Sequence, residues 1–331
     1  MDKFNGNFTR RQGLIAGAGA LMSIAASGPA RSQAFPNRPI KIVAPYPPGA
    51  STDTITRLYA NKLSTALGQP CVIENLPGAA GAIALRTVTR SAKDGYTLFV
   101  VSPVLTANPV TRRPQPPFQL ADFAGVSMLA DNPLVLMVNA SLPLNDVQQL
   151  MAYAKANPTK VSFGSPGVGT ITHLYGELLA RTAGVPIPHV PYKGEAQMFV
   201  DIIAGRVSFG FAGVFSAKEF TKSGMVRLIG VLSPERLPDY PNAPRLAEAG
   251  LKGFDVGSWL ALAVPAGTDP AIVARLSEET QKLAKDPEVR DGVARFGLTA
   301  RGTAPADTDA FFTSDYERWT PIIVAAGLDK E

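Results

Sequence analysis

The chain has 331 residues, 46% apolar and 18% charged, with no low-complexity tract, which suits a globular fold with room for two domains and excludes a disordered chain. Its net charge of +5 belongs partly to residues 1–34, which hold four of the 32 Lys and Arg and one of the 27 Asp and Glu, so the remainder carries only +2. Such near-neutrality gives no warrant for nucleic-acid binding, and a single cysteine, Cys71, excludes an intramolecular disulfide.

Residues 1–34 are expected to be an export signal. Lys3, Arg10 and Arg11 form a basic start, residues 13–27 are uncharged and largely apolar, and Ser32-Gln33-Ala34 offers a small-residue cleavage site. The apolar run is too short to span a membrane comfortably. Thr9-Arg10-Arg11-Gln12-Gly13-Leu14-Ile15 resembles a twin-arginine signal, although Gly13 replaces the commoner Phe and leaves ordinary secretion open. The expected product is periplasmic, cleaved near Ala34, and no cysteine near that point suggests a lipid anchor.

The stretch 40–67 reads as strand, tight loop, amphipathic helix. Residues 40–44 form a short β-branched run, and Pro45, Pro47, Pro48 and Gly49 suit neither a helix nor a central strand. Ser51, Thr52 and Asp53 are N-cap types, followed by Ile55, Leu58, Tyr59, Leu63 and Leu67 at helical spacing. Such a junction points unpaired N–H groups and the positive end of a helix dipole outward, which suits an anion. A second unit repeats the grammar: strand 160–165, Gly-rich loop 166–170, helix from Ile171. The two junctions are expected to face each other across a cleft, one from each lobe.

Between them, strands are expected at 71–76 and 96–102, a helix at 83–91 and a surface loop at 111–120. Short strands at 126–128 and 134–139 flank Asn132-Pro133, a plausible crossing into a second lobe. There a helix at 142–157, a strand at 187–190, a helix at 195–204 and strands at 207–211 and 226–232 follow, and a strand at 258–264 returns the chain. Amphipathic helices at 269–285 and 307–326 complete it. Alternating strands and helices imply mostly parallel sheets, and two crossings imply a hinged, two-lobed binding protein.

Several chemistries can be weighed. Gly167-Val168-Gly169-Thr170-Ile171-Thr172 narrowly misses the dinucleotide fingerprint, and no acidic residue stands at the expected distance beyond it. His173 and His189 are the only histidines and lie near no cysteine, so no metal and no cofactor are expected. Ser165, His173 and Asp53 would make a hydrolase triad, but there is no G-x-S-x-G elbow. In the first turn of a helix, His173 suits a loop brace or a ligand hydrogen bond. Asp53 suits a cap, and His189 and Cys71 suit structural positions. Tyr46 either walls the cleft or packs its loop, and Lys193 either meets a carboxylate or stays solvated.

Blocks of sequence in consistent order resemble the Bug family, the extracytoplasmic solute receptors of the tripartite tricarboxylate transporters. They include FPNRPI at 35–40, PYPPGASTDTITR at 45–57, ENLPGAAG at 74–81 and DGYTL at 94–98. SPGVGTITHL at 165–174, VPYKG at 190–194, AEAGL at 247–251 and VPAGT at 264–268 continue the match through nearly all of the chain beyond the signal. The resemblance implies an α/β, two-lobed periplasmic binding protein of type II-like architecture, each lobe a mostly parallel sheet flanked by helices and joined by a two-crossing hinge. Lobe 1 would hold residues 35–135 and 255–331, and lobe 2 residues 136–254.

By the same resemblance, the protein is no enzyme but a monomeric receptor for a small carboxylated solute, which it presents to integral-membrane permease subunits of a tripartite tricarboxylate transporter. Amides, hydroxyls and water would hold the carboxylate. The first loop would contribute Tyr46, Pro48, Gly49, Ala50, Ser51 and Thr52, the second Ser165, Gly169, Thr170 and His173, and the third Tyr192 and Lys193. Ala50 stands where the family usually has a second Gly. Ser208 and Ala212 stand where relatives often carry acids, which weighs against an amino-acid ligand. The rival functions are a periplasmic hydrolase using Ser165 and His173, and an orphan receptor serving a sensor protein.

Overall fold

A computed structural model describes residues 35–49, 51–78, 81–111 and 118–330. The expected signal segment, Ala50 and the Arg112-Arg113 part of the expected surface loop lie outside the described residues.

The chain begins with β1 (Ile40–Ala44), α1 (Ser51–Leu67), β2 (Cys71–Asn75), α2 (Ala82–Thr89) and β3 (Thr97–Val101). Ile55, Tyr59, Leu63 and Leu67 supply the buried stripe of α1, as their spacing demands. An unexpected helix follows, α3 (Val104–Thr111), whose residues from Leu105 to Val110 are all buried. A helix enclosed on every side has no polar face to reveal its period, and Pro109 argues against helix locally.

Next, β4 (Phe123–Asn132) meets β5 (Leu134–Asn139) across Pro133, and there the chain leaves one sheet for another. The second sheet is built from β5, β6 (Phe163–Ser165), β7 (His189–Pro191), β8 (Phe209–Gly213) and β9 (Val226–Leu232). Its helices are α4 (Val147–Ala156), α5 (Ile171–Ala183), α6 (Glu195–Ile203) and α7 (Val214–Lys222). The return strand, β10 (Ser258–Pro265), is followed by α8 (Pro270–Leu283), α9 (Pro287–Ala294), β11 (Thr299–Ala300) and α10 (Pro305–Ala325). Helices α7 and α9 and strand β11 were not expected. For α9 a start signal exists, since Asp286 accepts from the N–H groups of Glu288 (2.8 Å) and Val289 (3.3 Å) ahead of Pro287.

The first sheet has the order β11-β4-β10-β3-β1-β2 and the second β7-β6-β8-β5-β9. In each sheet most strands run one way, β1 to β4 in the first and β6 to β9 in the second, but the pairing of neighbours is mixed. β1 pairs in parallel with β2 and β3, and β6 with β7 and β8, but β10 is antiparallel to β3 and β4, and β5 to β8 and β9. The hinge is the reason. β4 runs toward the crossing and β10 away from it, so neighbours in one sheet must oppose each other, and β5 and β9 repeat this in the other lobe.

The same bookkeeping of directions fixes where the loops fall. β1, β2 and β3 run with β4, and β6, β7 and β8 run with β9, so the carboxyl ends of all these strands lie toward the crossing. In open α/β sheets, that is the end where ligands bind.

At the hinge, a Cβ on Gly257 would lie 2.5 Å from the Asn132 carbonyl, 2.8 Å from Leu134 N and 2.8 Å from the Leu232 carbonyl. Only glycine lets the returning chain pass so close to both outgoing strands. The two cores, one around Val43, Phe99 and Trp259 and the other around Leu136, Phe209 and Phe211, share the last helix. Phe312 of α10 packs on Trp259, with ring centroids 5.4 Å apart, while Trp319 meets Tyr175 of α5 edge-on at 4.8 Å.

Candidate functional site

Each strand–loop–helix junction is fastened from within. In the first, the buried Asp53 carboxylate accepts from Gly49 N (2.9 Å), Arg57 Nε (2.9 Å) and Nη2 (3.2 Å), and Asn75 Nδ2 (2.8 Å). Asn75 Nδ2 also reaches the Tyr46 carbonyl at 3.1 Å, tying β2 to the loop. Burial by itself would raise the Asp53 pKa, but Arg57, the Gly49 amide and Asn75 outweigh it and hold the carboxyl below its usual value. Asp53 is thus the loop's anchor, a reciprocal cap on a residue before the helix. Burial also pushes the Tyr46 hydroxyl up to about 12, with Ser102 pulling the other way.

In the second junction, Thr170 caps α5, its Oγ1 accepting from His173 N at 3.4 Å and donating to the Gly167 carbonyl at 2.8 Å. Gly169 stands at φ +74°, a left-handed conformation that turns its N–H onto His173 Nδ1 at 3.0 Å. With Nδ1 an acceptor, the ring proton belongs on Nε2, which faces Glu177 Oε1 at 3.5 Å. The His173 ring stacks on His189 with centroids 3.8 Å apart, and His189 stacks on Phe163 at 4.9 Å. Ser165 is fully buried, donates to the Gly167 carbonyl at 2.9 Å and lies 2.7 Å from His189 Nε2. Burial, then the proximity of His173, push His189 down to about 4 against the pull of Glu177.

The triad drawn from the sequence is therefore not assembled. Ser165 pairs with His189 rather than His173, His173 braces Gly169, and Asp53 is committed to the other loop.

Both junctions open on one cavity of about 210 Å³. Ser51 and Thr52 reach it from the start of α1, and Thr170, Ile171 and Thr172 from the start of α5. Glu195 is the first residue of α6, and Gly213, Phe215 and Ser216 surround the start of α7. Asn132, Leu134 and Ser258 line it at the hinge, and Phe296 and Leu298 come from the segment after α9. Four helix N-termini thus converge, as expected when β1, β6, β7 and β8 all run toward the crossing. Their free N–H groups and dipoles favour negative charge. Among the described residues that line it, none is Lys or Arg.

Of the residues singled out in the sequence, Ser51, Thr52 and Thr170 line this cavity. Gly169, Ser165 and His173 stand behind it as braces, and Ala50 lies outside the described residues. Tyr46, Pro48 and Gly49 belong to the first loop but are not in the cavity wall. Tyr192 turns its hydroxyl onto Asp201 Oδ2 (2.8 Å), and burial followed by that carboxylate pushes it up to about 12. Lys193 is exposed, its N–H donating to Gln197 Oε1 at 3.3 Å. Ser208 and Ala212 lie off the cavity, so their lack of charge carries no information about the ligand. The hinge residues, Phe296 and Leu298 carry no local pattern that marks them in the sequence. Glu195 reads there as an ordinary acid at a helix start.

The family described as "Tripartite tricarboxylate transporter family receptor" matches residues 55–328. A UPF0065 protein of a Pseudomonas species is 37% identical over 325 residues, spanning 98% of this chain and 96% of its own. Protein BugT of Bordetella pertussis is 34% identical over 323 residues, covering 97% and 98% of the two chains. Among solved structures, an R. palustris protein with adipate superposes with a TM-score of 0.75 at 31% identity, covering 88% of this chain and 98% of that one. MatC from Rhodopseudomonas palustris with bound malate gives 0.72 at 28% identity, covering 87% and 100%.

Proposed function

The chain belongs to the tripartite tricarboxylate transporter receptor family, and from that premise we propose that it captures a small organic carboxylate between its lobes and presents it to membrane permease subunits. The protein reaches the periplasm through the signal within residues 1–34 and acts there as a monomer. Closure of the lobes buries the ligand and creates the form the permease accepts.

The observation that carries this reading is the convergence of four helix starts and of Ser51, Thr52, Thr172, Ser216 and Ser258 on a cavity whose described lining includes no basic side chain. Such a pocket reads a carboxylate by preorganised dipoles and donors. Hydrogen bonds to a charged group contribute about 1.5–3 kcal/mol each. A few suffice for micromolar affinity, about −8 kcal/mol. The adipate and malate held by the related structures are small carboxylates of this class.

A thermal-shift screen of mono-, di- and tricarboxylates tests the proposal, since a ligand that binds only the folded state raises its melting temperature. With the best hit, Ser51→Ala combined with Thr170→Ala is expected to weaken calorimetric affinity by about tenfold or more. A panel without a single shift, or unchanged affinity in the double variant, counts against it.

A further inference from the structure

We propose that Glu195 sets the ligand's class: it accepts a hydrogen bond from an ammonium or hydroxyl group on the bound carboxylate and turns away ligands with a second carboxylate. This inference rests on the receptor reading above and deepens it.

Among the described residues of the wall, Glu195 is the one ionisable side chain, the others being hydroxyls, an amide, helix starts and apolar groups. Its Oε1 takes a long bond, 3.4 Å, from Gly213 N, and Ser216 offers a hydroxyl. Neither partner brings a positive charge, and among the described residues no Lys or Arg lines the cavity to neutralise the carboxyl. Burial accordingly raises its pKa, with Ser216 and the Gly213 amide pulling it back.

A partly buried acid without a cationic partner is costly for the protein, and a ligand that supplies a donor relieves that cost. A ligand that supplies another anion increases it. The helix starts of α1 and α5 can hold the ligand's carboxylate, with Ser51 and Thr52 at the first of them, while Glu195 reads the remaining group. Carboxylate and donor on one small molecule therefore match this wall, and a dicarboxylate does not.

The test uses the full mature protein and straight-chain carboxylates of about three to six carbons, a size range that suits so small a cavity. Each chain ends in ammonium, hydroxyl, carboxylate or methyl, and binding is read by calorimetry and thermal shift. The wild type is expected to favour an ammonium- or hydroxyl-ended chain over the dicarboxylate of equal length by about tenfold or more. Glu195→Gln is expected to erase or invert that order, while Glu195→Asp keeps the dicarboxylate excluded. If the loss on Glu195→Gln is confined to ammonium ligands, Glu195 acts as an ionic partner; if hydroxyl ligands lose equally, it acts as a hydrogen-bond acceptor. Melting and circular dichroism without ligand confirm that each variant is folded, and should one fail to fold, the wild-type preference order and the other variant decide. An order unchanged by Glu195→Gln while carboxylates still bind overturns the role of Glu195 alone. Failure of every chain to bind both proteins overturns the receptor reading, and this inference with it.

Discussion

Phe215, near the start of α7, and Phe296, just after α9, lie with ring centroids 5.5 Å apart and planes tilted by 54°. One stands on the lobe of the second sheet and the other on the lobe of the first, and both line the cavity. The pair is therefore a contact between lobes at the rim of the candidate site.

Such aromatic pairs contribute about 0.5–1.5 kcal/mol beyond their buried area. Phe215→Ala or Phe296→Ala is expected to weaken carboxylate binding by about two- to tenfold, with most of the change in the dissociation rate. Stopped-flow measurement of both rate constants checks this, and a double-mutant cycle should show the two substitutions to be coupled.

Asp53 holds the first loop through donors from Gly49, Arg57 and Asn75. Asp53→Ala leaves these donors facing a small apolar side chain, and about 2–3 kcal/mol of stability is expected to go with it. Ligand affinity should fall too, because Ser51 and Thr52 follow directly on that loop. The folded-state pKa lies below the ordinary value of about 3.9. The stabilisation is then complete above that ordinary value and disappears as pH falls through the lower folded one. Urea titrations at neutral and strongly acidic pH should show the wild type and Asp53→Asn far apart in the first case and converging in the second.

His189 gives a different window. Its pKa in the folded protein is about 4, against about 6.5 unfolded. Between these values the unfolded chain takes a proton that the native protein refuses, so stability declines as pH drops from 6.5 toward 4 and is unaffected by this group above that range. His189→Gln is expected to flatten that part of the stability profile. A slope as steep as the wild type's, measured by denaturant midpoints at several pH values, would assign the decline to other groups.

The local grammar of proline, glycine and N-cap residues made both anion-facing junctions legible, because those residue types act on the backbone beside them. Asp53 reads as a cap and His173 as a brace for the same reason: their partners, Gly49 and Gly169, are four residues away. Tertiary surroundings hid the rest. The enclosed α3 lacks a period, and Asn132 and Ser258 become neighbours only when β4 and β10 pair. The role of Tyr192 could not be read either, since Asp201, which holds its hydroxyl, lies a full helix away in α6.

The position of β10 between β3 and β4 sets a timetable for the newborn chain. When β4 is complete, the strand that must separate it from β3 has yet to be synthesised, and the entire second sheet is made first. Trp319, Ile322 and Ile323, near the end of α10, fill the core beneath that second sheet. Neither half can therefore finish folding early and wait for the other; maturation of both is held until translation is nearly over.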